Sequence, residues 1–353
     1  MISVILAGGS GTRFWPLSRR DRPKQLVALW DDTPMIRATV ERVEQVSDGD
    51  RVFVVLGDHL VDATREVLEE TTFIVEPCAR NTAPAIGLAA IHAQKRFGDE
   101  PIAIFPADHF IGGIEDFERC LHLADKRARD GDIVTLGIRP TRPETGYGYI
   151  RFEGGAPGSD ELVARPVDEF VEKPTRRIAR EYVASGDYVW NSGMFVFTPS
   201  TLFGEMERQL PEMHEAMMAI GEAIGTERED EVTRERFAAL EGISIDYGIM
   251  EGAESVAVIP ATFSWSDVGH WAALDEVRPT DDDGNVVEAN AHLVDVRDSV
   301  VFSENDDRLI AACGLEGMVV VDTPDALLVI PKERAQDVKQ IVHDLDDIDP
   351  TVT

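Results

Sequence analysis

The sequence predicts an α/β protein whose mixed, mostly parallel sheet carries helices on both faces, followed by a small C-terminal β domain. Apolar runs typical of buried strands alternate with helical patterns through the first half of the chain. Two polar clusters, GGSGTR and PADH, follow the ends of such runs, where α/β sheets bind ligands. Past residue 280 the chain turns to short β segments, either rungs as in a β-helix or hairpins, with no helical pattern until Ala335. We therefore place one domain at residues 1–280 and a β-rich domain ending in a helix at residues 281–353.

The individual elements follow from local patterns. The first strand covers residues 2–7 and is ended by glycines. Asn81 or Thr82 caps a helix that has Pro84 in its first turn. Residues 146–150 and 163–171 suggest a hairpin. Further strands are predicted at residues 51–56, 72–75, 102–105, 133–138, 188–197 (interrupted at 191–193) and 254–259. Helical patterns cover residues 34–46, 62–70, 81–93, 114–129, 178–185, 200–224 and 231–240. This alternation is typical of a Rossmann-like layer.

The composition excludes several classes of protein. No apolar run reaches the roughly 18 residues of a membrane-spanning helix, and the chain starts directly in a strand, so we expect neither a membrane span nor a signal peptide. The cysteines Cys78, Cys120 and Cys313 are odd in number and far apart, which predicts reduced thiols in a cytoplasmic protein. The net charge of −32 argues against nucleic acid or an anionic membrane as a partner.

The acidic excess is spread along the chain, with 66 acidic against 34 basic residues. A dispersed excess of this size suits a protein that works in concentrated salt, where self-repulsion is screened. We therefore expect a salt-adapted, halophilic source.

One basic segment stands out against this background. A glycine loop at residues 8–13, GGSGTR, follows the first strand, and five cations lie in or just after it. Residues 8–24 together are the glycine-loop segment. Glycines let backbone N–H groups approach an anion, so the segment predicts a polyphosphate site. No Gly-Lys-Ser/Thr follows at P-loop spacing, and the loop runs into Phe-Trp-Pro instead of a dinucleotide-binding helix. A Ser nucleophile elbow and a Cys–His arrangement are also missing from the sequence. The five cations are Arg13, Arg19, Arg20, Arg22 and Lys24.

Six motifs, in order along the chain, carry a family resemblance. The first resembles the signature of sugar-phosphate nucleotidyltransferases, and the other five resemble the mannose-1-phosphate guanylyltransferases (GDP-mannose pyrophosphorylases) within that family. The motifs are LAGGSGTRFWPLS with PKQ (residues 6–18 and 23–25), EP with NTAPAI (76–77 and 81–86), FPADH (105–109), EKP (172–174), WNSGMF (190–195) and WSDVG (265–269).

The resemblance implies a reaction between mannose 1-phosphate and GTP that gives GDP-mannose and pyrophosphate. The sugar phosphate attacks the α-phosphorus in line, so the protein supplies positioning and charge neutralisation instead of a nucleophile. The resemblance further implies Mg²⁺ as cofactor and a homodimer. The cupin-type isomerase domain of larger relatives is not implied for a chain of 353 residues.

The resemblance also assigns site residues. Arg13 and Lys24 would neutralise the triphosphate, Asp108 and Asp267 would hold Mg²⁺, and Lys173 would contact the sugar phosphate. Turn or helix caps are the competing interpretation of both aspartates. The other three arginines of the basic segment are expected outside the ligand contacts. The nucleotide site is predicted to comprise Leu6, Ala7, Gly8, Gly9, Ser10, Gly11, Thr12, Glu76 and Asn81. The sugar-phosphate site is predicted to comprise Gly146, Glu172, Lys173 and Asn191.

Two other functions compete with this one. A thymidylyl- or uridylyltransferase acting on glucose 1-phosphate would keep the chemistry and change the substrates. A noncatalytic sugar-nucleotide sensor or regulatory subunit would bind without turnover. Such a protein would not need the metal carboxylates. The enzyme is favoured by the joint presence of Arg13, Lys24, Asp108, Lys173 and Asp267.

Overall fold

The computed structural model describes residues 1–9, 11–152 and 162–353. Its strands are β1 (Ile2–Leu6), β2 (Val52–Gly57), β3 (Thr72–Glu76), β4 (Ile102–Pro106), β5 (Phe110–Gly112), β6 (Ile133–Ile138), β7 (Tyr149–Phe152), β8 (Arg165–Val171), β9 (Tyr188–Phe197), β10 (Val256–Pro260), β11 (Ser264–Ser266), β12 (Val286–Glu288), β13 (Ala291–Val294), β14 (Val300–Ser303), β15 (Ile310–Cys313), β16 (Met318–Asp322) and β17 (Leu327–Pro331). Its α-helices are α1 (Met35–Val43), α2 (Val61–Val67), α3 (Thr82–Phe97), α4 (Ile114–Arg129), α5 (Arg176–Ser185), α6 (Pro199–Gln209), α7 (Pro211–Ala223), α8 (Glu229–Ala238), α9 (Ile245–Gly248) and α10 (Val338–Ile348).

A nine-stranded sheet forms the centre of the first domain, in the order β3-β2-β1-β4-β9-β6-β10-β8-β7. Seven of these strands run in one direction, and β8 and β9 run against them. The predicted mixed, mostly parallel sheet is therefore confirmed. Strand β9 is continuous where the sequence suggested an interruption, and the irregularity appears instead as a register shift between Thr135 and Gly137 of β6.

Helices cover both faces of the sheet, as predicted. One apolar cluster packs α3, α6 and α7 on one face, and a second packs α1 and α4 on the other. The helical pattern over residues 200–224 forms two helices, because Pro211 lacks the N–H that a continuing helix would use and instead begins α7. No helix in the described part of the chain is long and apolar enough to cross a bilayer.

The C-terminal strands stack as rungs more than as hairpins. Strands β12, β14 and β16 pair in parallel, β13 and β15 form a second parallel pair, and only β17 of these described strands pairs antiparallel. Their apolar interior is continuous with the segment after the glycine loop, because Phe14, Leu17 and Trp271 belong to the same buried cluster as Val300 and Val319. The C-terminal β structure thus supports the segment predicted to bind phosphate.

Candidate active site

The fold brings the two predicted metal ligands, Asp108 and Asp267, to one place through a short β ribbon. Asp108 precedes β5 and Asp267 follows β11, and these strands pair antiparallel with Phe110 opposite Ser266. Antiparallel pairing places the start of one strand beside the end of the other. The two aspartates therefore flank the same end of the ribbon.

Lys24, which lies against Gly11 of the glycine loop, bonds to both aspartates. Its Nζ donates to the Asp108 carboxylate (Oδ2, 2.9 Å) and carbonyl (3.0 Å), and to the Asp267 carbonyl (2.6 Å). The side chain is 6% exposed. Gly11 permits this arrangement, because it has a φ of 57° and a Cβ there would lie 2.3 Å from the Lys24 Cβ.

The charges around Asp108 keep its carboxylate ionised. Burial raises the pKa of Asp108, but the charge and hydrogen bond of Lys24, together with His109 and Arg13, outweigh it and lower the pKa below its ordinary value. Burial lowers the pKa of His109, whose Nδ1 accepts a hydrogen bond from Trp265 at 3.2 Å. Arg13 has no hydrogen bond or ion pair within the described residues, so its charge is available to a ligand.

The two carboxylates fit a hard divalent cation. Within residues 1–9, 11–152 and 162–353, each has one oxygen held by a protein donor: Asp108 Oδ2 by Lys24, and Asp267 Oδ1 by the Tyr147 hydroxyl at 2.6 Å. The second oxygen of each accepts no hydrogen bond there. That part of the chain also holds no cluster of three or more His, Cys, Asp or Glu that could cage a metal ion. A cation bound by two carboxylates completes its shell with water and ligand oxygens.

A cavity of about 440 Å³ opens beside the glycine loop. Its wall includes Leu6, Gly8 and Gly9 from the end of β1, and Glu76 from the end of β3. Glu76 is 8% exposed, and burial raises its pKa to about 7. A mostly apolar cavity of this size with one convergent carboxylate suits a flat heterocycle with hydrogen-bond donors on its edge.

The remaining predicted nucleotide residues lie around the same cavity. Asn81 lines it and caps α3, its Oδ1 accepting from the Thr82 N–H at 2.8 Å, as predicted for the cap. Ala7 is buried, and its carbonyl accepts from Gln25 at 2.8 Å. Thr12 begins a short 3-10 helix, while Ser10 lies outside the described residues.

Glu172 and Lys173 form an ion pair of 2.7 Å. The Glu172 side chain is 6% exposed, and its Oε2 atom is buried without a hydrogen-bond partner among the described residues. Lys173 adopts a left-handed φ of 48°, with its N–H donated to the Tyr147 carbonyl at 3.2 Å. A buried acceptor without a partner is costly unless a ligand supplies the donor.

Both polar atoms of the Asn191 side chain are already hydrogen-bonded within the protein. Its Nδ2 donates to Asp246 at 2.9 Å, and its Oδ1 accepts from Thr135 and from the Gly193 N–H. Asp246 itself lines the cavity, and burial together with the charge of Glu172 raises its pKa to about 6. Asn191 therefore holds Asp246, a residue that the sequence analysis did not select.

The sequence analysis selected Gly146 but not its neighbours Tyr147 and Gly148, which contact other site residues. Gly146 is exposed and donates its N–H to Glu144 at 3.0 Å, whereas Gly148 has no room for a side chain, since a Cβ would lie 2.5 Å from Glu172 Oε2. Tyr147 between them contacts Asp267. The alternation Gly-Tyr-Gly was visible in the sequence, but it is equally typical of a turn.

The other arginines of the basic segment pair with the C-terminal β domain. Arg19 contacts Asp325 at 2.9 Å, Arg22 contacts Glu304 at 2.8 Å, and Arg20 contacts Asp346 at 2.5 Å. These three cations are thus matched by acids far along the chain. Their place outside the ligand contacts stays a prediction.

Two family models and several known proteins match this chain. Residues 2–284 match the nucleotidyl transferase family, and residues 281–345 match the MannoseP isomerase/GMP-like beta-helix domain. The chain is 38% identical over 349 residues to a mannose-1-phosphate guanylyltransferase of Klebsiella pneumoniae, an alignment that covers 97% of this chain and 73% of that protein. It is also 38% identical over 361 residues to the alginate biosynthesis protein AlgA of Pseudomonas putida, covering 100% of this chain and 73% of that protein.

A solved structure gives the same result. The crystal structure named mannose-1-phosphate geranyltransferase from Thermus thermophilus superposes with a TM-score of 0.88 at 36% identity. The match covers 98% of this chain and 99% of that one. Sequence and structure together place the chain in the nucleotidyl transferase family, among its mannose-1-phosphate guanylyltransferases.

Proposed function

We propose that this protein transfers the guanylyl group of GTP to mannose 1-phosphate and so serves GDP-mannose biosynthesis. The observation that carries the proposal is the convergence of Lys24, Asp108 and Asp267 beside the glycine loop. A buried cation and two carboxylates at such a loop suit the handling of a triphosphate and its metal ion. The names of the relatives supply the substrates.

The nucleotide would lie in the 440 Å³ cavity with its base against Glu76. Guanine carries two donors on one edge, N1–H and the N2 amino group, and an ionised carboxylate accepts both at once. Uracil and thymine offer only one donor there, and adenine offers its ring N1 as an acceptor. Glu76 is therefore the residue that favours GTP over the other nucleotides.

The phosphates would extend from this cavity over the glycine loop toward the ribbon. Arg13 and Lys24 would neutralise the triphosphate. Asp108 and Asp267 would hold Mg²⁺ through the carboxylate oxygens that accept no hydrogen bond among the described residues. Bound Mg²⁺ would withdraw charge from the phosphate oxygens. Arg13 and Lys24 would fix the position of the triphosphate and lower the repulsion that an incoming phosphate meets.

Mannose 1-phosphate would bind on the Lys173 side. Lys173 would hold the sugar phosphate. Glu172 would accept a hydrogen bond from a sugar hydroxyl through its Oε2, which has no partner among the described residues, and Asn191 would act through Asp246. Exposed Gly146 leaves room beside the sugar. A phosphate oxygen of the sugar forms a bond to the α-phosphorus of GTP, the bond from that phosphorus to the bridging oxygen breaks, and pyrophosphate leaves with the electron pair.

The test is pyrophosphate release from GTP, dTTP, UTP and ATP, each combined with mannose 1-phosphate and with glucose 1-phosphate, in the presence of Mg²⁺ and KCl. We expect release to be largely confined to GTP with mannose 1-phosphate. A preference for dTTP or UTP with glucose 1-phosphate would overturn the substrates, and no release by folded protein would favour the sensor.

We also propose an oligomeric state, a cellular location and a domain boundary for this protein. A homodimer is expected, which sedimentation would check. The cytoplasm is the expected location, and the boundary between the two domains is expected near residue 280.

A further inference from the structure

Tyr147 touches both halves of the site. Its hydroxyl donates to Asp267 Oδ1 at 2.6 Å, while its carbonyl accepts the N–H of Lys173 at 3.2 Å. One residue therefore connects the proposed metal carboxylate with the proposed sugar-phosphate cation.

The tyrosine ring is held in place independently of its hydroxyl. It packs edge-on against Trp190, with ring centroids 5.2 Å apart, and against Trp265, with ring centroids 5.4 Å apart. Its half-buried side chain has little freedom between two indoles. The hydroxyl is therefore aimed at Asp267 by rigid packing.

The backbone beside Asp267 is strained, and the hydrogen bond that holds it does not involve the Asp267 carboxylate. Val268 is fully buried and has a φ of 41°, a left-handed conformation that is unfavourable for a β-branched residue. The Val268 N–H donates to Ser266 Oγ at 3.2 Å, which fixes the main chain but not the carboxylate. Within the described residues, the Tyr147 hydroxyl is the donor that orients the Asp267 carboxylate.

We infer that Tyr147 is a positioning residue that orients Asp267 to bind the divalent cation on the nucleotide. The inference rests on the proposed function. With Oδ1 tied to the tyrosine hydroxyl, Oδ2 is presented to the metal ion, in the way that outer hydrogen bonds orient metal ligands generally. Without the hydroxyl, the carboxylate can rotate, and metal binding weakens while nucleotide binding itself persists.

The test is calorimetric titration of GDP-mannose, with and without Mg²⁺, into wild type, Tyr147→Phe, Tyr149→Phe and Asp267→Asn. GDP-mannose is stable on the enzyme when pyrophosphate is absent, so binding is measured without turnover. Tyr149→Phe is the matched control, since it removes another buried tyrosine hydroxyl, bonded to the Glu144 carbonyl at 2.9 Å, two residues away.

We expect Mg²⁺ to tighten GDP-mannose binding by wild type and Tyr149→Phe, and Tyr147→Phe to lose about tenfold of that tightening. The affinity without metal should stay at the wild-type value, which also shows that the variant is folded. If Tyr147→Phe keeps the full tightening while Asp267→Asn loses it, the inference is wrong and the proposed metal site stands. An equal loss in Tyr149→Phe also overturns it. If Mg²⁺ does not tighten wild-type binding, the metal site and the inference both fall.

Discussion

The Lys24 ammonium donates a hydrogen bond of 2.6 Å to the carbonyl of Asp267, a residue 243 positions further along the chain. The same ammonium holds Asp108, so one buried cation ties the glycine-loop segment to both carboxylates. Lys24 therefore contributes to the site in two ways: it supplies a positive charge, and it fixes the relative positions of the two aspartates.

Replacing Lys24 by methionine should lower kcat by about 10²- to 10³-fold, because both charge neutralisation and the junction of the two aspartates are lost. The rate of pyrophosphate release measures the effect. Lys126→Met, at an exposed position on α4, is the matched control and should behave as wild type. Activity of Lys24→Met close to that of the control would contradict the role given to Lys24.

Glu76→Gln should reduce kcat/KM for GTP by about ten- to a hundredfold, because the glutamine amide sets a donor against one of the two guanine donors. The reduction in kcat/KM should be smaller for ATP, so that the ratio of kcat/KM for GTP to that for ATP falls. The measurement is a comparison of both nucleotides, with exposed Glu70→Gln as control. An unchanged ratio between GTP and ATP would show that another group reads the base.

GTP binding should depend on pH through Glu76. Burial raises the pKa of the free carboxyl to about 7, and only the ionised form accepts both guanine donors. Binding should therefore weaken as the pH falls below 7, by up to about tenfold per pH unit, and level off above it. Because the GTP phosphates also titrate, the diagnostic quantity is the difference between wild type and Glu76→Gln in calorimetric affinity. Parallel pH profiles for the two proteins would exclude this role.

Trp15→Phe should destabilise the protein by about 1 kcal/mol, because the Trp15 indole donates to the Val352 carbonyl at 2.6 Å and links the glycine-loop segment to the last residues of the chain. Urea unfolding gives the free energy. Trp30→Phe removes an indole that has no hydrogen bond among the described residues, and it provides the comparison. Equal losses in the two variants would assign the effect to packing alone.

The net charge of −32 predicts that stability rises with salt. Screening shortens the range of repulsion between carboxylates from about 10 Å at 0.1 M to about 3 Å at 1 M. Thermal unfolding and pyrophosphate release at low and at molar KCl would test this. Equal stability and activity at both concentrations would contradict salt adaptation.

The sequence predicted most elements because their patterns are local. Helix α4 and strand β6 have the bounds expected from apolar periodicity alone, Ile114–Arg129 and Ile133–Ile138. The meeting of Asp108 and Asp267 was expected only through the resemblance, since the two strands that join them have three residues each and no strong pattern.

The missed residues share a physical reason. Asp246 lies in a four-residue helix and Tyr147 in an irregular turn, where spacing carries little information. Their roles arise from partners far along the chain, Asn191 and Asp267, and only the folded structure shows those contacts. The acidic partners of Arg19, Arg20 and Arg22 could not be predicted for the same reason, because they also lie far along the chain.

We propose that the site catalyses guanylyl transfer in addition to binding the nucleotide and the sugar phosphate. The most direct measurement compares wild type and Asp108→Ala for GTP binding and for pyrophosphate release with mannose 1-phosphate. We predict that both proteins bind GTP and that only wild type releases pyrophosphate. Unchanged release by Asp108→Ala would contradict the assigned chemistry, and the absence of release by folded wild type would contradict the enzyme itself.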